Sequence, residues 1–313
     1  MGTPQFAVAT LEALISHGFE VVAVVTAPDK PSGRGLAVTE SAVKKYALQH
    51  QLPVLQPVNL KDEAFAETLK KWNADVQIVV AFRMLPEKIW NMPWLGTFNL
   101  HASLLPKYRG AAPINWAIIK GEKETGITTF KLQHEIDTGG VLYTEKVQIS
   151  ENMTAGELHD ELMHLGAELM LKTVKALDKS CKEKQPLQFI AQREEEATHA
   201  PKLNKETCRI RWDDTLQNIH NLIRGLSPHP GAFTSIATQE GQIRTVKLYK
   251  TRTEPSKHTN TNGLLITDNK TYLKVACSGG YLCIEELQME GKKRMHVGEF
   301  LRGFRPDSGM CFY

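Results

Sequence analysis

Apolar residues in the N-terminal part of the chain alternate between two rhythms, and each rhythm predicts an element. Over residues 5–17, Val8, Leu11, Leu14 and Ile15 fall on one face of a helix. Residues 20–26 (Glu-Val-Val-Ala-Val-Val-Thr) are a β-branched run of the buried-strand type, and residues 75–81 (Asp-Val-Gln-Ile-Val-Val-Ala) are a second. Residues 61–72 have helical spacing, and residues 96–101 predict a further strand. Alternating strands and helices predict an α/β fold, a doubly wound, mostly parallel sheet with helices on both faces. Ligands of such sheets bind beyond the carboxyl ends of the strands, so the end of the 96–101 strand carries most interest.

The rhythm then changes. Leu158, Leu162, Leu165 and Leu169 recur at spacings of four, three and four, a helical stripe facing a core. Residues 180–206 are polar and contain Glu194-Glu-Glu196, which reads as a linker, with a short strand at 186–190. Residues 213–226 predict a helix with Leu216, Ile219 and Ile223 on one face. Short strands follow at 244–250, 263–267, 271–276 and 281–287, with turns at Asp268-Asn269 and Gly279-Gly280. Such spacing predicts a small β-barrel of the oligonucleotide-binding (OB-like) type. The expected division is a first domain over residues 1–185, a linker over 186–204 and the barrel over 205–313.

Composition adds limits. No apolar run approaches the roughly 20 residues of a membrane span, and no basic segment followed by an apolar one opens the chain, so a cytoplasmic protein is expected. The five cysteines are odd in number, scattered and without metal-ligand spacing, which suits free thiols in a reducing compartment. The net charge of +3 is unevenly spread: residues 201–313 hold 17 Lys and Arg against 11 Asp and Glu. A basic C-terminal part suits a polyanionic partner.

The chemistry-bearing residues lie where the strand pattern points. Asn99-Leu-His101 ends the 96–101 strand, and Asp137 follows in His134-Glu-Ile-Asp137-Thr-Gly139. An amide can hold a developing oxyanion, an imidazole can carry protons near neutrality, and a carboxylate can fix and charge the imidazole. Together they are the set needed to move an acyl group. His134 is the rival imidazole, although no asparagine accompanies it. Ser103 lacks the Gly-x-Ser-x-Gly setting of a nucleophile and is expected to stabilise its loop. Residues 29–35 (Asp-Lys-Pro-Ser-Gly-Arg-Gly) form a basic loop that matches neither a dinucleotide fingerprint nor a P-loop.

Ser103-Leu104-Leu105-Pro106, then Arg109-Gly-Ala-Ala-Pro113, extend the Asn99-x-His101 string, and Asp137-Thr-Gly139 answers it downstream. In these strings, and in Gly2-Thr-Pro4, Pro28–Gly35, Ala200-Pro-Lys-Leu203 and Leu226-Ser-Pro-His-Pro230, the chain resembles the folate-dependent formyltransferases over nearly its whole length. The resemblance implies a Rossmann-like first domain and formyl transfer from 10-formyltetrahydrofolate, without a metal. It is strongest to members acting on the α-amine of methionyl initiator tRNA. Asn99, His101 and Asp137 are the catalytic residues it implies. The folate wall would comprise Met84, Leu85 and Pro86, with Ser103, Leu104, Leu105 and Pro106 and the loop residues Ile136, Thr138 and Gly139. Arg34, with Lys30, Lys44 and Lys202, would meet the tRNA, Arg34 reading the end of its acceptor stem. An acceptor such as glycinamide ribonucleotide or an amino sugar, and a non-catalytic RNA-binding protein on the same fold, are the alternatives; the small basic barrel and the intact catalytic set favour the tRNA reading. The enzyme is expected to act as a monomer.

In the family that it resembles, Gly-Thr-Pro follows an apolar strand, whereas here Met1 directly precedes Gly2. The helix at 5–17 therefore lacks a preceding strand. The expectation is that the natural product carries some additional N-terminal residues, roughly 6–12, that include a β-branched strand.

Overall fold

The computed structural model describes residues 1–32, 37–237 and 241–313. It forms two compact units, one of residues 1–110, 125–147 and 159–199, the other of residues 111–124, 148–158 and 200–313.

In the first unit α1 (Gln5–Ser16) is followed by β1 (Val24–Val25), α2 (Ala42–Gln49), β2 (Val54–Leu55), α3 (Glu63–Lys71), β3 (Gln77–Val80) and β4 (Thr97–His101). Next come β5 (Glu124–Lys131), β6 (Val141–Gln148) and the long α4 (Ala155–Glu183). Strands β1 and β2 pair in parallel. A four-stranded sheet runs β3-β4-β5-β6, with β3 parallel to β4 and β4 antiparallel to β5. Gly2 lies between the two sheets, its N–H on the Val25 carbonyl and its backbone bridged to Val80.

The sheet is therefore mixed, which corrects the expectation of a mostly parallel one. The strand that changes its character is β5, and its sequence conceals it. Glu-Thr-Gly-Ile-Thr-Thr-Phe-Lys has three threonines and only two large apolar residues. The buried hydroxyls are satisfied internally: Thr128 Oγ1 donates to the Ser103 carbonyl at 2.7 Å, and Thr129 shares a 2.8 Å bond with Thr173. The return from β5 to β6 through residues 132–140 is too short for a parallel crossover.

A second difference concerns residues 20–26. Only Val24 and Val25 join a ladder. Among the described residues, 20–23 have no strand partner and line, with residues 74–78, a cavity of about 570 Å³. A β-branched run forms a strand only where a neighbouring backbone meets its hydrogen bonds.

Behind β4 the core is tight. Phe98 and Leu100 are buried on the face opposite Asn99 and His101. Gly166 of α4 allows the helix to approach: a Cβ there would lie 2.5 Å from Ile127 Cδ1 and 2.8 Å from Leu100 Cδ2. Leu158, Leu162 and Leu169 of the leucine stripe are buried, and Leu165 is half-buried.

The second unit is built on an antiparallel sheet of β7 (Ala232–Ala237), β8 (Ile243–Pro255), β9 (Leu265–Thr267), β10 (Leu273–Cys277) and β11 (Gly280–Met289). Its order is β7-β8-β11-β10-β9. Register shifts between Leu248 and Thr251 bend the long β8. Residues 310–313 bond to both edges, since Tyr313 exchanges two backbone bonds with Ser235 while Leu265 donates to Met310 and Phe312 donates to Gly263. The sheet curls around Ile219, Ile223 and Leu226 of α5 (Leu216–Leu226). The sequence pattern did not predict β7, whose inward residues Ala232, Thr234 and Ile236 include only one large apolar side chain.

Thr154 caps α4 in a reciprocal box: Glu157 N–H reaches Thr154 Oγ1, and both the Thr154 N–H and its hydroxyl reach Glu157 Oε2 at 2.8 Å. These donors, the backbone N–H first, hold the Glu157 carboxyl below its usual range. Thr154→Ala should destabilise the protein by about 1 kcal/mol in denaturant unfolding near neutral pH. The carboxylate's share is complete above the unfolded pKa and is lost as pH falls through the depressed folded value, so the gap between parent and variant should narrow on acidification.

Candidate functional site

Strand β4 presents Asn99 and His101 on one face, two residues apart. Its backbone is paired on both edges, Asn99 with Val79 on one side and Phe130 on the other. His101 is 6% exposed, and its Nε2 lies 2.9 Å from the Tyr108 carbonyl. A carbonyl only accepts, so Nε2 carries the hydrogen and Nδ1 is the nitrogen turned towards Asp137. Asp137 Oδ2 lies 3.8 Å from Nδ1, an ion-pair separation longer than a hydrogen bond. The same oxygen accepts the Gly110 N–H at 2.9 Å. The Asn99 side chain is half-buried and makes no hydrogen bond to protein among the described residues, which leaves its amide available.

Two loops meet this strand end. Residues 102–110 turn through Tyr108, a left-handed residue at φ 60° whose N–H is held by Thr198 Oγ1 at 2.9 Å. Residues 132–140 carry Asp137, also left-handed at φ 57°. Gly139 lets that loop close, because a Cβ there would stand 1.7 Å from the Lys131 carbonyl oxygen. His134 Nδ1 lies 3.4 Å from Glu87 Oε2, which brings the loop near residues 84–87. The His134 side chain is 83% exposed and pairs with Glu87, so His101 is the imidazole that the strand brings to Asp137.

The expected folate wall divides by burial. Met84 and Ile136 are large apolar side chains left 70% and 58% exposed, and Thr138 is half-buried with its hydroxyl on the Glu135 carbonyl. Pro86, Leu104 and Pro106 are half-buried, and Gly139 is buried. Leu85 belongs to the core with Ile89, and Leu105 to a cluster with Phe130 and Val141. Ser103 is fully buried, and its hydroxyl donates to the Lys107 carbonyl at 2.6 Å. Leu85, Ser103, Leu105 and Gly139 therefore lie behind the surface and support it.

Of the expected RNA contacts, Arg34 lies outside the described residues. Lys30 is exposed, as is Lys202 in the second unit. Lys44 is engaged elsewhere, pairing with Asp29 and, at 2.8 Å, with Glu40. Asp29 first and Glu40 next push its pKa upward. Gln56 Nε2 donates to Asp29 at 2.8 Å, so Lys44 and Gln56 together hold Asp29, the residue before Lys30.

Sequence comparison agrees with this geometry. A model described as formyl transferase matches residues 1–174, and one described as formyl transferase, C-terminal domain, matches residues 202–305. The methionyl-tRNA formyltransferase of Bacteroides fragilis is 51% identical over 304 residues, covering 97% of this chain and 94% of that protein. That of Bacteroides thetaiotaomicron is 50% identical over 313 residues, with coverages of 99% and 96%. Among solved structures, the N-formyltransferase of Helicobacter canadensis, in complex with folinic acid and dTDP-3-aminofucose, superimposes with a TM-score of 0.63. It is 19% identical, over 94% of this chain and 97% of that one, a likeness of fold.

Ser103 offers a test of the scaffold that bypasses the chemistry. Ser103→Ala leaves the Lys107 carbonyl without its buried donor and should cost about 1–3 kcal/mol in denaturant unfolding.

Proposed function

The chain belongs to the formyl transferase family, and we propose on that footing that it transfers the formyl group of 10-formyltetrahydrofolate to the α-amine of methionyl initiator tRNA, giving N-formylmethionyl-tRNA. The observation that carries this reading is the pair Asn99 and His101 on one strand end, with Asp137 3.8 Å from the imidazole, in a chain about half identical to methionyl-tRNA formyltransferases over nearly its full length.

The donor supplies an activated formyl carbon. As the methionyl nitrogen bonds to that carbon, negative charge grows on the formyl oxygen. The Asn99 amide and a protonated His101 Nδ1 are the donors suited to that charge. Nε2–H is occupied by the Tyr108 carbonyl, so proton traffic runs through Nδ1. Asp137 steadies the imidazolium and accepts the proton that the attacking amine sheds. When the bond from the formyl carbon to the folate nitrogen breaks, His101 delivers a proton to the departing nitrogen.

The folate surface is assigned to Met84, Pro86, Leu104, Pro106, Ile136 and Thr138, with Leu85, Ser103, Leu105 and Gly139 as its backing. The exposure of Met84 and Ile136 supports this, since a flat heterocycle can cover both. The second unit reads as an OB-like barrel, a reading supported by the bonds of residues 310–313 to both sheet edges. Its basic charge suits the tRNA backbone. Arg34 and Lys30 are assigned to the acceptor stem, Lys44 to the base of their loop and Lys202 to the tRNA 3′ end. A cytoplasmic, monomeric enzyme fits these assignments; among the described residues no helix is long and apolar enough to cross a membrane.

Two experiments test the reading. His101→Ala and Asp137→Asn should each lower kcat by about two orders of magnitude while folate affinity stays within a few-fold. Near-parental single-turnover formylation by His101→Ala would sink the catalytic assignment. Affinity for tRNA should fall steeply with added salt, and Arg34→Ala should formylate initiator tRNA less selectively than the parent. A salt-independent affinity, or unchanged selectivity, would remove the corresponding assignment.

A further inference from the structure

Asp137 is held at two points, and both lead back to one dipeptide. Its carboxylate oxygen Oδ2 accepts the Gly110 N–H. Its main-chain carbonyl accepts Gln192 Nε2 at 2.8 Å, and the same amide nitrogen reaches the Gly139 carbonyl at 2.9 Å. Gln192 Oε1 in turn accepts from Arg109 Nε and Nη2 at 3.1 and 3.0 Å. Arg109 is 5% exposed, and its Nη1 is bound by both oxygens of Glu194 at 2.9 and 2.8 Å. The ring therefore closes from Asp137 through Gly110, Arg109 and Gln192 back to Asp137, entirely within the first unit.

The chemistry of the ring fixes its direction. A guanidinium has donors only, so the oxygen of the Gln192 amide must face Arg109 and the NH₂ must face the two carbonyls. Gln192 thus supplies two donors to a loop whose catalytic residue sits in a left-handed conformation. The exposed Glu194 carboxylate neutralises the buried guanidinium and sets its plane.

We propose that Gln192, oriented by Arg109 and Glu194, is a positioning residue that holds Asp137 against His101 for catalysis. It sets the backbone of Asp137, while Gly110 sets the carboxylate, and the 3.8 Å separation from Nδ1 depends on both. The inference rests on the catalytic assignment of Asp137.

The test is a double-mutant cycle in the full chain. Gln192→Glu keeps the size and the acceptor for Arg109, yet it has no hydrogen to give the two carbonyls. It should lower kcat about tenfold, with KM for tRNA and for folate changed by less than about threefold. In the Asp137→Asn background the same substitution should lower kcat less than about twofold, because a residue acting only through Asp137 has nothing further to lose. Glu194→Gln, at a side chain 77% exposed, should show a smaller loss with the same dependence on Asp137 and carries the test should Gln192→Glu not fold. Parental kcat in Gln192→Glu, or equal losses in both backgrounds, would overturn the proposal. Parental activity in Asp137→Asn would instead overturn the assignment of Asp137, and this inference with it.

Discussion

Everything at the site depends on the backbone of Thr97–His101 being bonded along both edges. Parallel pairing to Gln77–Val80 and antiparallel pairing to the 124–131 strand remove the freedom of this segment to twist or slide. A one-residue slip would send Asn99 and His101 into the helix-facing core and turn Phe98 and Leu100 outward. Two buried polar side chains would then face Gly166 and Ile127, where a single added Cβ already collides. The register of the active pair is thus enforced by the apolar pair alternating with it.

Onto that rigid strand the protein adds two loops whose order is bought with polar contacts. The buried Ser103 hydroxyl closes the 102–107 turn on itself, and that of Thr128 ties it to the sheet. The 132–140 loop relies on amide and guanidinium groups, since it has few apolar residues to bury. Precision on the imidazole side therefore comes from packing, and on the carboxylate side from hydrogen bonds. Hydrogen bonds at a solvent-facing site are individually modest, which is why a network of them stands behind one carboxylate.

Legibility in the sequence follows the same division. The helices at 5–16 and 63–71, the strand ending at His101 and the leucine stripe rest on apolar periodicity, and the structure contains them where that periodicity points. Residues 20–23 have the apolar content of a strand without a partner, and the 124–131 strand has a partner without the apolar content. Local composition carries no information about which backbone lies alongside. The meeting of His101 with Asp137 was legible because their residue types, with Asn99, are chemically unusual together. Gln192 and Glu194 were not, because in a polar stretch nothing marks a glutamine bound to a loop from one in water. Lys44 shows the converse, an expected RNA contact that sits in α2 and is engaged by acidic neighbours.

The left-handed backbone at Asp137 also limits how this position can change over evolutionary time. Among side chains other than hydrogen, short ones able to bond locally, aspartate and asparagine, tolerate that conformation best. Glutamate, the usual neutral exchange for aspartate on a protein surface, meets a steric penalty here and extends the carboxylate by a methylene past its Gly110 contact. Asparagine keeps the conformation and removes the charge. On the proposed catalytic role of Asp137 the acceptable alphabet at this position is close to one letter, and drift away from it leads through a well-folded but inactive protein.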